Sequence, residues 1–113
     1  MSDNPGFKEF KGALAENYIL QSLTTQGINC SRYWASGNKA EVEFIVQHGS
    51  AVIPIEVKSG TSVTGRSLIE YNKRYSPQLR VRFSMLNLKK DDNFVNLPLF
   101  LADKMTELVL SSL

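Results

Sequence analysis

The longest helical pattern in the chain runs from Phe7 to Gln26, where apolar residues recur three and four apart and Gly27 supplies a stop. At 3.6 residues per turn, Gly12, Ala15, Glu16, Ile19 and Leu23 fall on one face. Glu16 thus stands inside an apolar stripe, where a carboxylate needs a base or a cation beside it. Past Gly27 the period drops to two. "INCSRYWASGNKAEVEFIV" predicts a strand, a turn at "SGNK" and a second strand, and "AVIPIEVK" predicts a third after the turn "QHGS". "TGRSLIEYNKRY" predicts a second helix closed by Pro77. "QLRVRFSML" predicts a half-buried strand with Leu79, Val81, Phe83 and Met85 inward and Arg80, Arg82 and Ser84 outward. "KKDDN" predicts a polar loop, and "LPLFLADKMTELVLSSL" a last helix starting near Pro98. The expected architecture is one α/β domain over residues 1–113. It has a mixed sheet in the order helix, strand, strand, strand, helix, strand, then a C-terminal helix.

The second and third strands carry the chemistry. Val42, Phe44 and Val46 alternate with Glu41, Glu43 and Ile45, while Ile53, Ile55 and Val57 alternate with Val52, Pro54, Glu56 and Lys58. Burying both apolar rows together forces Glu41, Glu43, Glu56 and Lys58 onto one common face. A hairpin with His48 and Gly49 at its tip sets Glu41 against Glu56. An alternative register sets Glu43 against Glu56 and Glu41 against Lys58. Either way like charges about 5 Å apart call for something positive between them. A further slip instead sets Glu43 against Lys58 as an ordinary cross-strand ion pair and strands Val52 and Ile53 in the loop.

Converging carboxylates make a hard, all-oxygen site suited to magnesium or manganese. Lys58, on the face of Glu56 and about 7 Å along the strand, is placed to hold a water or to neutralise charge growing on a phosphate. Metal-assisted phosphodiester hydrolysis uses these parts.

Length and composition narrow the field. At 113 residues the chain has room for one core, and 42% hydrophobic content suits an ordinary globular protein. A single cysteine, Cys30, excludes a disulfide framework and a thiolate zinc site within one chain, and the only histidine, His48, lies in a turn. No apolar run approaches the roughly 18 residues of a membrane span, and "MSDNPGFKEF" lacks a signal-peptide core, so the cytoplasm is the expected compartment. Net charge is only +2, yet from Lys58 to Lys90 eight basic residues stand against Glu70 alone. Arg66, Lys73, Arg74, Arg80 and Arg82 in that block are candidate contacts to a polyanion such as nucleic acid. They are equally readable as solvated helix and strand faces, or as contacts to another part of a longer protein.

"EVEF" and "IPIEVKSG", preceded by a helix carrying "GALAENYIL", resemble the PD-(D/E)XK nuclease superfamily over roughly residues 11–86. That resemblance implies a restriction-endonuclease-like core. It places Glu56 and Lys58 on the ExK half of the motif, Glu43 where the metal-binding aspartate falls, and Glu16 on the helix-borne glutamate. Gly12, Glu16, Tyr33, Trp34, Glu41, Phe44, "PIEVKSG", Ser67, Leu68, Tyr71 and "LPLFLADKM" are also similar to a C-terminal domain of unknown function in bacterial and archaeal AAA-type ATPases. This closer likeness covers nearly everything from Lys11 to Met105 and implies that an ATPase portion precedes this domain and is a partner to it. Together they imply a magnesium-dependent nuclease-like domain acting on DNA or RNA, with Glu43, Glu56 and Glu16 as metal ligands and Lys58 as the fourth catalytic group. The rivals are a silent module of the same fold that binds nucleic acid or protein, and an interaction domain with no nucleic-acid partner.

Other residues have plainer readings beside these. "GTSVTGRS", Gly60 to Ser67, approaches a phosphate-binding P-loop but has Arg66 in place of the lysine, so a strand-to-helix joint is the expected role. Glu16 reads equally as a metal ligand or as a core carboxylate paired with Arg32 or Lys39. Tyr33 and Trp34 are expected in the core rather than stacked on bases. Phe94, Leu97, Leu99, Phe100 and Leu101 form an apolar cluster that packs either on this domain or on another.

Overall fold

A computed structural model describes residues 5–36, 40–60 and 66–113 of the chain. Helix α1 spans Pro5–Thr25 and buries Ile19 and Leu23, with Ala15 and Glu16 half-buried on the same stripe. Its end is fixed by Gly27 at φ +78°, with Gly27 N–H donating to Thr24 O at 2.9 Å and Ile28 N–H to Leu23 O at 3.1 Å. That is the paired closing pattern of a left-handed glycine cap.

Strands β1 (Asn29–Ser36), β2 (Ala40–His48) and β3 (Ala51–Val57) form the antiparallel meander expected from the alternation. Helix α2 (Arg66–Tyr75) then carries the chain to β4 (Arg80–Ser84), which pairs parallel to β3. Two further strands, β5 (Lys89–Asp91) and β6 (Phe94–Pro98), complete a six-stranded mixed sheet in the order β1-β2-β3-β4-β6-β5, with β6 parallel to β4 and β5 antiparallel to β6. The core of Phe44, Val46, Ile53, Ile55, Val81, Phe83, Val95 and Leu97 packs under α1 and the C-terminal segment. Leu68 and Tyr71 of α2 form a smaller cluster with Val42, against which Ile45 and Phe94 pack. Among the described residues no helix is long and apolar enough to cross a membrane.

Four sequence expectations need correction. The sheet does not end at the expected fourth strand: Phe94–Pro98, expected only as part of an apolar cluster, is strand β6. "KKDDN" is not a loop but holds β5 and a tight turn in which Asp92 takes φ +54°. Lys89, Lys90 and Asp91 are all exposed, so this edge strand is held by backbone pairing with β6 and leaves no apolar alternation to read. The C-terminal helix is broken into a 3₁₀ segment (Leu99–Lys104), a four-residue α3 (Met105–Leu108) and another 3₁₀ turn (Leu110–Ser112). Leu99, Ala102 and Met105 recur at three, the period of a 3₁₀ helix, and no side chain caps either the 3₁₀ segment or α3 at its start. Met85 does not face inward. The strand ends at Ser84, which is fully buried and not outward: its Oγ donates to Asn96 Oδ1 at 2.6 Å and accepts from Leu86 N–H, and Met85 is left exposed. Of the apolar cluster at 94–101, Leu97 is fully buried, whereas Phe100 is exposed.

Candidate active site

The β2–β3 hairpin closes on the pair His48↔Ala51 and continues through Ile45↔Pro54 to Phe44↔Ile55. Its two-residue tip is therefore Gly49–Ser50, not His48–Gly49. Gly49 takes φ +62° at the first loop position, which the twist of a two-residue hairpin favours and a residue with a side chain resists. Ala51, Val52 and Ile53 all remain in β3, so the slipped register with Glu43 opposite Lys58 is not adopted. Continued one residue, the observed register sets Glu43 directly opposite Glu56.

The pair is deeply placed. Glu56 is 1% exposed and Glu43 is half-buried, and Oε2 of each is buried with no hydrogen-bond partner. Burial pushes the Glu43 carboxyl from an ordinary 4.5 up to about 7; its own backbone N–H works against this, Glu56 adds to it, Lys58 opposes it and Glu16 adds slightly. Burial likewise raises Glu56, with Lys58 and Arg82 opposing. Lys58 Nζ stands 3.8 Å from Glu56 Oε1 while its side chain is 37% exposed, so the ammonium reaches both the carboxylate and solvent. The Lys58 backbone is anchored by its N–H donating to Phe83 O at 2.8 Å. That fixes the lysine at the C-terminal edge of the parallel β3–β4 pair.

Glu43, Glu56 and Lys58 are thus brought together. Glu16 is near enough for its charge to act on Glu43 and makes no ion pair with Arg32, whose guanidinium instead lies 5.9 Å from the centre of the Phe44 ring. Among the described residues no three Asp, Glu, His or Cys side chains form a group that could hold a metal ion. Two hard carboxylates with unpartnered inner oxygens still suit a cation that takes its remaining ligands from water and substrate. The side chains of Tyr33, Trp34, Glu41, Arg66 and Ser67, with Lys39 and residues 61–65 of the glycine-flanked loop, lie outside the described residues.

The basic residues divide between two places. Lys73 and Arg74 are exposed in the last turn of α2, with Arg74 5.8 Å from the Tyr75 ring centre. Arg80 and Arg82 are half-buried on β4, and Arg82 is the register partner of Glu56. Burial lowers the Arg82 pKa and the Glu56 carboxylate counteracts it. Sequence reasoning missed Asn96 altogether. Its Oδ1 accepts from Arg82 Nε at 3.0 Å and from Ser84 Oγ, and its Nδ2 donates to Leu86 O and Asn87 O. A lone asparagine in the apolar run "FVNLP" was the only signal for it.

Among protein families, the model of one described as a domain of unknown function, DUF4143, matches residues 11–101. No curated protein and no solved structure matches the chain.

Proposed function

Given that the chain belongs to the domain-of-unknown-function family DUF4143, we propose from its chemistry that it is a nuclease-like domain of restriction-endonuclease type. In this reading it hydrolyses nucleic-acid phosphodiesters with a magnesium or manganese ion and works beside an AAA-type ATPase portion. One observation carries the reading: two facing carboxylates, each with a buried unpartnered oxygen, beside a lysine 3.8 Å from one of them. A buried carboxylate pair that a single lysine compensates only in part is costly, and a divalent ion would offset that cost. The meander, helical crossover and parallel fourth strand are also the order such a core requires.

Glu43 and Glu56 would hold the ion, and Glu16 on α1 would tune the charge around Glu43. A divalent ion bound there supplies polarisation of the phosphoryl oxygens and a more acidic water. Lys58, tethered by its backbone and open to solvent at its tip, holds the attacking water or neutralises charge developing on the phosphate.

Cleavage of supercoiled plasmid and of single-stranded RNA, measured with manganese and with EDTA, tests the assignment. Metal-dependent cleavage that disappears in both Glu56→Gln and Lys58→Met supports it. A second reading is a nuclease-fold module that binds without cutting: among the described residues no third acid joins Glu43 and Glu56 in a group that could hold a metal ion. Nucleic-acid binding with no cleavage under any divalent metal selects that reading.

A further inference from the structure

On the sheet face that carries Glu56, α2 packs mainly on β2 and β3, and its Leu68 and Tyr71 reach Phe94 of β6. There Arg80 and Arg82 of β4 stand beside Phe94 and Asn96 of β6 in register. The Arg80 guanidinium carbon is 5.3 Å and that of Arg82 4.9 Å from the centre of the Phe94 ring, so the two cations lie within about 10 Å of each other.

Each is also oriented through its inner nitrogen alone. Arg80 Nε donates to Asn93 Oδ1 at 3.2 Å and Arg82 Nε to Asn96 Oδ1 at 3.0 Å. Both amides are locked in turn, because their Nδ2 groups donate to fixed acceptors: Asn72 Oδ1 and Pro77 O for Asn93, and Leu86 O and Asn87 O for Asn96. Among the described residues the outer guanidinium nitrogens make no hydrogen bond and no ion pair.

We infer that Arg80 and Arg82 form a preorganised clamp for a phosphate of a nucleic-acid backbone, with Phe94, Asn93 and Asn96 as its positioning residues. Glu56 answers the charge of Arg82 from one side, and an anion set between the two guanidiniums would face both cations at once. The forks left open are the donors that suit a phosphate bidentately. Arg82 is the register neighbour of Glu56, about 4.8 Å away strand to strand, so the clamped phosphate would border the carboxylate pair. The choice of nucleic acid as the source of the phosphate rests on the function proposed above, whereas the clamp geometry does not.

Fluorescence anisotropy in EDTA, with a duplex DNA and a single-stranded RNA oligonucleotide over a series of salt concentrations, separates binding from cleavage. If each arginine neutralises one phosphate, Arg80→Gln and Arg82→Gln each flatten the plot of log affinity against log salt by about 0.9 on the duplex and about 0.7 on the single strand, and weaken binding about eightfold and about fivefold near 0.1 M salt. Phe94→Leu and Asn93→Ala keep both charges, and are expected to lower affinity with the slope unchanged. Arg80→Gln does not touch the Asn96 network and carries the test if Arg82→Gln melts at a lower temperature. Unchanged slopes in variants with wild-type melting overturn the clamp, as does binding of an acidic peptide but of neither oligonucleotide. Flattened slopes without cleavage under any metal keep the clamp and remove the nuclease. Glu56-dependent cleavage with unaltered slopes does the reverse.

Discussion

Replacing Glu43 by glutamine tests the buried carboxylate pair through stability. The side chain keeps its shape and loses its charge, and its amide can donate toward the unpartnered Oε2 of Glu56. In the folded protein Glu43 holds its proton up to about pH 7, against an ordinary 4.5. Between those values the unfolded chain has released the proton while the folded chain keeps it, so the folded state binds more protons and stability falls as pH rises. Below 4.5 the effect is absent, and above about 7 it is complete. At about 1.4 kcal/mol per pH unit the full penalty is about 3 kcal/mol, trimmed toward 2 by the water that reaches this half-buried side chain. Urea unfolding in EDTA at pH 5 and pH 8 reads it directly. Because pH 5 already lies above 4.5, about a quarter of the penalty is present there, so relative to wild type Glu43→Gln is expected to gain about 1.5–2.5 kcal/mol more at pH 8 than at pH 5, or about 8 °C in melting temperature for a domain of this size. Subtraction cancels the carboxylates whose charge does not act on Glu43. Parallel pH profiles for the two proteins would show that Glu43 ionises freely and that the pair imposes no strain. A manganese addition that stabilises wild type at pH 8 but not the variant would locate the ion at this pair.

Three other outcomes follow from particular contacts. Gly49→Ala is expected to cost about 1 kcal/mol in denaturant unfolding, because φ +62° burdens any Cβ even with no atom within 4 Å of it; Gly49→Asn should recover part of the loss. Gln26→Ala should cost about 2 kcal/mol and speed hydrogen exchange selectively over residues 99–113, since that one side chain bonds Ser22 O, Ala102 O and both the backbone N–H and hydroxyl of Thr106. Asn96→Ala should cost about 3 kcal/mol or more by thermal melting, because it strands Ser84 Oγ, Arg82 Nε and two loop carbonyls at a site 1% exposed.

Much of the fold was legible because it rests on short-range pattern. The α1 stripe ending at Gly27, the meander, α2 and β4 all bury one periodic face, and periodicity is a property of the chain itself. Phe94–Pro98 was missed as a strand. Val95 and Leu97 alternate with Asn96 and Pro98, yet the run is short and follows a segment with no apolar residue to announce a hairpin. An exposed edge strand such as β5 owes its existence to a neighbour's backbone, and the 3₁₀ turns after Pro98 follow which residues the sheet can bury.

For the candidate site the division is similar. Alternation alone determined that Glu43, Glu56 and Lys58 share a face once Phe44, Val46, Ile53 and Ile55 are buried, because side chains two apart in a strand must point the same way. Which of them meet depended on register, and that was set by the backbone angle of Gly49 and the pairing of whole strands. The tertiary structure alone supplied the burial that lifts Glu43, the seat of Arg82 beside Glu56 and the asparagines that aim both arginines. Those depend on strands β3, β4 and β6 lying side by side, a contact between distant stretches of chain that no local pattern encodes.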